Sequence, residues 1–244
     1  MNTKLIGSAV LLALVVAGAW YFTSAKDAAL TTLEPAVETG TESAVVPGNY
    51  MIDSAKSTFT WAAKKPLIPD YVNSGTLAIK EGLITAESAS ATGSFVIDMD
   101  TLHVGLTAKK PGKESALEAH LKGDDFFDVT KYPTSTFVIT SVTPMPEISS
   151  TIYMYKIVGN LTMKGVTNEI NFPAKIYLKD GALHAEASFA IDRTKWKITY
   201  GSTNFFKSLG DNFIDDMVEL AFNIVATPTA PVTTTAEGSA SSTL

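Results

Sequence analysis

The chain has 244 residues, no cysteine and a net charge of −6. The missing thiols exclude disulfides, thiolate nucleophiles and zinc–thiolate sites, and the acidic balance argues against nucleic acid, whose phosphates need a basic face. The length allows one β domain of roughly 180 residues, held by its core alone, with extensions at both ends.

The first element is apolar. Lys4 precedes an uncharged stretch from Leu5 to Ala25 whose apolar part ends in Trp20, Tyr21 and Phe22. A membrane-spanning helix needs about 20 apolar residues. A signal peptide needs a basic start, an apolar run of about 7–15 residues and an A-x-A-like site. Residues 1–25 therefore read either as a signal peptide, cleaved after Ala17-Gly18-Ala19 or Thr23-Ser24-Ala25, or as an anchor that holds the inner membrane through residues 5–22. The aromatic trio, as an interfacial belt, favours retention. Both readings place the rest of the chain outside the cytoplasm, in the periplasm. With no cysteine after the apolar run, a bacterial lipoprotein is excluded. Residues 26–48 have no sustained periodicity and read as a flexible spacer.

From about residue 57 to residue 226 a large apolar residue recurs at every second position. Strand side chains alternate faces, so each such segment has one oily and one wetter face. Phe59 and Trp61 open the series, then Leu77 and Ile79, then Phe95, Ile97 and Met99. Glu81-Gly82 reads as a turn between the strands around 77–79 and 83–85. His103 falls in a loop. The segment Glu114–Lys122 breaks the alternation: Leu117 and Leu121 share a helical face, Glu118 and Lys122 form an i,i+4 pair, and Gly123 stands as a C′ glycine. His120 lies on this helix. After it, Asp124-Asp125-Phe126-Phe127-Asp128 reads as a compact turn with one Phe tucked under a rim.

Alternation resumes with Phe137 and Ile139, then Leu161 and Met163, then Ile170, Phe172, Ile176 and Leu178. Lys164-Gly165 and Asp180-Gly181 mark hairpins, since type I′ turns need positive φ. Leu183, Phe189 and Ile191 follow, and Leu220 and Phe222 close the series. His184 has the opposite parity to Leu183. Residues 227–244 form a Thr/Ser-rich tail expected to be disordered. The domain is thus 49–226: all-β with one or two short helices, an antiparallel up-and-down barrel. Such a barrel is either filled or holds one small ligand. Gly159, Ala174, Ala185 and Ala187 share parity with the bulky residues and favour a hollow interior.

Chemistry-bearing residues are sparse. No two histidines have a metal-ligand spacing, and no G-x-S-x-G elbow occurs. Asp124-Asp125 and Asp215-Asp216 are adjacent, so they point apart and suit loops or caps. Asp192-Arg193 closes a strand. It is either a structural salt bridge at the barrel end or a polar handle for a ligand head group. His120, Asp192 and Arg193 are the candidate polar rim.

The segments Tyr50-Met51-Ile52-Asp53, Leu117 to Phe137 (LEAHLKGDDFFDVTKYPTSTF), Gly159 to Thr167 (GNLTMKGVT), Phe189 to Trp196 (FAIDRTKW) and Tyr200 to Ser202 together resemble the YceI-like family over residues 49–226. The resemblance implies an extended lipocalin-like barrel with an elongated apolar cavity, outside the cytoplasm. It also implies binding of long polyisoprenoid chains, often by a homodimer. The chain departs from many relatives in carrying Lys56, and Lys64-Lys65-Pro66-Leu67, where they have histidines.

The expected function is lipid binding without catalysis. An isoprenoid chain would thread the barrel past Phe59, Trp61, Leu77, Ile79, Phe95, Ile97, Phe137, Ile139, Leu161, Phe172, Ile176, Phe189, Ile191, Leu220 and Phe222. Neither a metal nor any cofactor is expected beyond that lipid. The alternative is an interaction module whose barrel is packed solid.

Overall fold

A computed structural model describes residues 45–88, 90–145, 154–207 and 210–229. The apolar N-terminal stretch, nearly all of the spacer and nearly all of the tail lie outside the described residues. Among the described residues nine strands follow one another: β1 (Gly48–Ile52), β2 (Thr58–Lys64), β3 (Val72–Ala86), β4 (Ala91–Thr107), β5 (Thr134–Pro144), β6 (Met154–Met163), β7 (Val166–Lys179), β8 (Ala182–Asp192) and β9 (Met217–Pro228). Among the described residues one α-helix, α1 (Glu114–Lys122), links β4 to β5. All pairings are antiparallel, and from β2 to β9 each strand pairs with the next in sequence.

Closure comes from the first two strands sharing one position. Tyr50 of β1 faces Ile84 of β3 and Pro228 of β9, whereas Phe59 of β2 faces Leu77 and Phe222 of the same two strands. β1 and β2 are therefore one stave of an eight-stave barrel, broken at 53–57. Asp53 Oδ1 caps the break by accepting the N–H groups of Ala55 (3.1 Å) and Lys56 (3.2 Å). Ser57 Oγ accepts the Val225 N–H (3.0 Å) and so restores a ladder bond from β9.

The hairpins at Lys164-Gly165 and Asp180-Gly181 have both residues at positive φ (49° and 69°, 52° and 77°), as type I′ turns require. Three expectations change. Glu81-Gly82 is not a turn: β3 continues through it, with a bulge between Ile79 and Glu81. A Cβ at Gly82 would run into Ile52 and Phe95, so this glycine serves close approach. His103 sits in β4, not a loop, opposite Thr76 of β3. Gly123 ends α1 in extended backbone (φ −73°, ψ 177°), with its N–H on His120 O, instead of the left-handed cap.

The helix closes one end of the barrel. Leu121 is buried, and Glu118 pins α1 to β4 by accepting from Val104 N (3.2 Å), from Lys122 Nζ (3.1 Å) and from the His103 ring (Nδ1, 3.1 Å). Phe126 is buried under the rim and Phe127 half-buried, as the acidic turn implied. The opposite end carries the β3–β4 and β7–β8 hairpins and β1.

One stretch of wall is incomplete. The pairing of β7 with β8 runs only from Lys179↔Ala182 to Lys175↔Glu186. Residues 166–174 of β7 pair with β6 alone, and 187–192 of β8 with β9 alone. Pro173, which has no N–H to give a ladder, sits where the two strands part.

Candidate functional site

The interior faces are apolar, and they enclose two chambers placed end to end. Chamber A, towards the hairpin end, has about 150 Å³ and is lined by Phe95, Phe137, Ile139, Phe172, Ile176 and Phe222, together with Ala174 and Ala185. Chamber B, under α1, has about 100 Å³ and is lined by Phe59, Trp61, Leu77, Ile97, Leu161, Ile191 and Leu220, with Leu121, Phe126 and Ile214 from outside the strands' alternation. Ile79 and Phe189 line neither chamber: Ile79 is packed core at 1% exposure, and Phe189 is half-buried.

A ring of phenylalanines divides the chambers. Phe95 lies 5.4 Å from Phe137, Phe137 lies 5.7 Å from Phe172, and Phe172 lies 5.7 Å from Phe222. Phe189 stacks on Phe172 at 4.1 Å and 6°, across the unpaired stretch between β7 and β8. The expected elongated cavity is thus interrupted, because five strands deliver a phenylalanine at neighbouring levels. Gly159, read as a source of free space, is filled by the Phe137 ring. Ala174 and Ala185 do open volume; Ala187 lines neither chamber. An apolar cavity of about 150 Å³ accepts a benzene, so as arranged each chamber suits about one isoprene unit.

The rim candidates part company. Arg193 is buried at 4% exposure and spends all five N–H donors on the protein. Nε donates to Asp215 O (3.0 Å), Nη1 to Ile198 O (2.8 Å) and Tyr200 O (2.9 Å), and Nη2 to Ile214 O (3.1 Å) and Asp216 Oδ1 (3.3 Å). Burial pulls this guanidinium below its ordinary value, and Asp216, then Asp192 and Asp215, oppose the shift. Asp216 Oδ2 is held in turn by Ser202 Oγ (2.9 Å) and Asn204 Nδ2 (2.7 Å). Asp192 Oδ1 accepts from Thr194 N (3.0 Å) and Oγ1 (2.6 Å). The pair is the structural tie of the barrel end, and no N–H of Arg193 remains for a ligand head group. His120 stays at the rim, with Nε2 on Asp125 Oδ2 (3.0 Å) and its ring edge-on to Phe126 and Tyr200.

Sequence reasoning missed two polar groups inside. Trp61 Nε1 and Ser135 Oγ are buried without a hydrogen-bond partner among the described residues, and both residues line chamber B. Ser135 shares parity with Phe137, so the alternation itself could have placed it inward. Among the described residues no group of three or more His, Asp or Glu could hold a metal ion, and no helix is long and apolar enough to cross a membrane.

Comparison with known proteins gives a consistent result. A family model described as YceI-like domain matches residues 50–226. Two curated UPF0312 proteins match in part: one from Staphylococcus aureus is 40% identical over 60 residues, 25% of this chain and 29% of that protein. The other, from Pseudomonas putida, is 32% identical over 101 residues, 41% of this chain and 47% of that protein. The chain thus spans less than half the length of these curated relatives. Among solved structures, Burkholderia cenocepacia BcnA superposes with a TM-score of 0.53 at 22% identity, covering 72% of this chain and 99% of that one. A polyisoprenoid binding domain from Saccharophagus degradans gives 0.53 at 14% identity, covering 74% and 98%. At these identities the likeness establishes the shared barrel fold.

Proposed function

The chain belongs to the YceI-like domain family, and we propose that it is a non-catalytic carrier of a long apolar chain of the polyisoprenoid type. The observation that carries this reading is the pair of apolar chambers in line inside a closed barrel, with Ala174 and Ala185 holding one of them open. A fold neighbour described as a polyisoprenoid binding domain supports the ligand class. Each buried methylene contributes about 0.8 kcal/mol. A chain longer than two isoprene units must turn the phenylalanine rings aside, and its buried carbons offset that rearrangement. The carrier works outside the cytoplasm, beside the membrane that residues 5–22 enter or have left, and a homodimer is its expected assembly.

The test is uptake of a fluorescent isoprenoid analogue, together with native mass spectrometry of what co-purifies. Ala185→Phe fills chamber A and should weaken uptake by more than about ten-fold, or 1.4 kcal/mol, while the circular dichroism spectrum stays unchanged. The phenylalanine partition favours a second reading, an interaction module with a solid barrel. An analogue that ignores both the wild-type and the filled barrel would establish that reading and end the carrier.

A further inference from the structure

The segment that follows β8 differs from the rest of the chain in charge. Residues 193–210 (RTKWKITYGSTNFFKSLG) contain Arg193, Lys195, Lys197 and Lys207 but no acid, in a protein of net charge −6. Arg193 is spent inside the barrel end, whereas Lys195, Lys197 and Lys207 are all exposed. Asp192, the acid before the segment, is turned onto Thr194, and Asp216 behind it is held by Arg193. The same segment carries Tyr200, Phe205 and Phe206, at 41%, 57% and 47% exposure. Among the described residues no other Phe, Tyr or Trp is exposed.

These rings stand on a turn that is tied down. Phe205 and Phe206 donate their N–H groups to Ser202 O (3.2 and 2.9 Å). Ser202 is itself fully buried; its Oγ donates to Asp216 Oδ2 (2.9 Å) and accepts the Asn204 N–H (3.2 Å). Asn204 Nδ2 donates to the same carboxylate oxygen (2.7 Å). The Tyr200 ring lies 4.9 Å from that of His120, so the turn belongs to the end of the barrel that α1 closes. Lys195 stands beside it on the outer wall, where Asn168 of β7 donates to its carbonyl (3.0 Å). Scattered exposed apolar residues need no explanation, but adjacent phenylalanines held outward beside lysines mark a contact surface.

The chemistry of that surface selects its partner. Three aromatic side chains about half exposed offer about 300 Å², well short of the about 800 Å² per partner of a stable protein interface. A bilayer needs no matching surface. Its acyl boundary takes the rings, and anionic headgroups at the level above meet the ammonium groups. We propose that residues 195–207 dock the protein on an anionic bilayer surface, with Phe205 and Phe206 entering the interface and Lys195, Lys197 and Lys207 lying among the headgroups. The contact uses the outside of the barrel, so it holds whether or not the interior carries a lipid.

Because the chain has no cysteine, Thr203→Cys in the full-length protein accepts a single environment-sensitive dye on this turn, and Thr92→Cys places one on the wall near the opposite end. Both side chains are exposed. The dye reports the turn itself, whatever residues 5–22 do. With vesicles containing phosphatidylglycerol, the dye at 203 should shift to the blue and the dye at 92 should not. Vesicles of phosphatidylcholine alone should require at least about ten-fold more lipid for the same shift, and that preference should collapse at about 1 M salt, where charges are screened within about 3 Å. Phe205→Ser with Phe206→Ser should abolish the shift, and Lys195→Glu with Lys207→Glu should remove the preference for the anionic lipid. All four side chains are exposed, so the melting temperature should stay unchanged. A dye at 203 that remains in water on anionic vesicles, or a shift that survives the double serine change, overturns the inference. An equal lipid requirement on both vesicles overturns it as well. So does a shift that appears without lipid and grows with protein concentration, which would make the turn a contact between two copies of the chain.

Discussion

At the scale of single residues, Arg193 decides how the barrel end holds together. Its guanidinium ties Asp215, Ile198, Tyr200 and Ile214 by their carbonyls and Asp216 by its carboxylate. A lysine has three donors on a single point, so it cannot reproduce this fork. Arg193→Met should cost about 3–5 kcal/mol, because it strands Asp216 and several buried carbonyls, and a lower urea midpoint at unchanged m-value would show it. Arg193→Lys should recover only part of the loss. The sequence made the residue conspicuous, because a charge between Ile191 and Trp196 must go inward or pair. It could not say which acceptors waited, since all five come from the segment between β8 and β9, which has no periodicity.

At the scale of elements, the hairpins were legible because Lys164-Gly165 and Asp180-Gly181 combine a positive-φ requirement with alternation on both sides. The bulge in β3 was not: Glu81-Gly82 has the composition of a turn, and only the crowding of Gly82 by Ile52 and Phe95 explains the glycine. α1 was legible from Leu117, Leu121 and the Glu118–Lys122 pair, yet its docking depends on a contact the spacing cannot show. Glu118 is held below the usual carboxylate range, first by the Lys122 hydrogen bond and then by the Val104 N–H. Its folded value lies below its unfolded one of about 4.3, so its contribution is complete above that pH and is lost as pH falls through the folded value. Glu118→Gln should therefore lower the melting temperature at neutral pH by an amount matching about 0.5–1 kcal/mol. The difference from wild type should vanish in acid. A constant difference at all pH values would mean that the carboxylate charge plays no part in docking α1.

At the scale of the molecule, the barrel was readable from alternation and small turns, whereas its inner space was not. Parity says that Phe95, Phe137, Phe172 and Phe222 point inward, but not that their rings meet. That depends on register and shear, which set the level of each residue along the axis. Phe189 is the ring most open to change, since it is half-buried and stands at the stretch where β7 and β8 are unpaired. Phe189→Ala should cost less than the about 3–5 kcal/mol of a fully buried phenylalanine. If the partition limits entry, the same change should speed uptake of a fluorescent isoprenoid, and an unchanged rate would place the barrier elsewhere. In the carrier reading, the parted strands also bear on how cargo would change hands. Spreading β7 from β8 beyond Lys175 and Glu186 breaks no ladder bond between them, so the wall can gape along its flank while the hairpin end stays shut. A hydrocarbon lying in a bilayer could then slide in broadside through this slit, never crossing water tip-first, and the donor membrane would only need to touch one side of the protein.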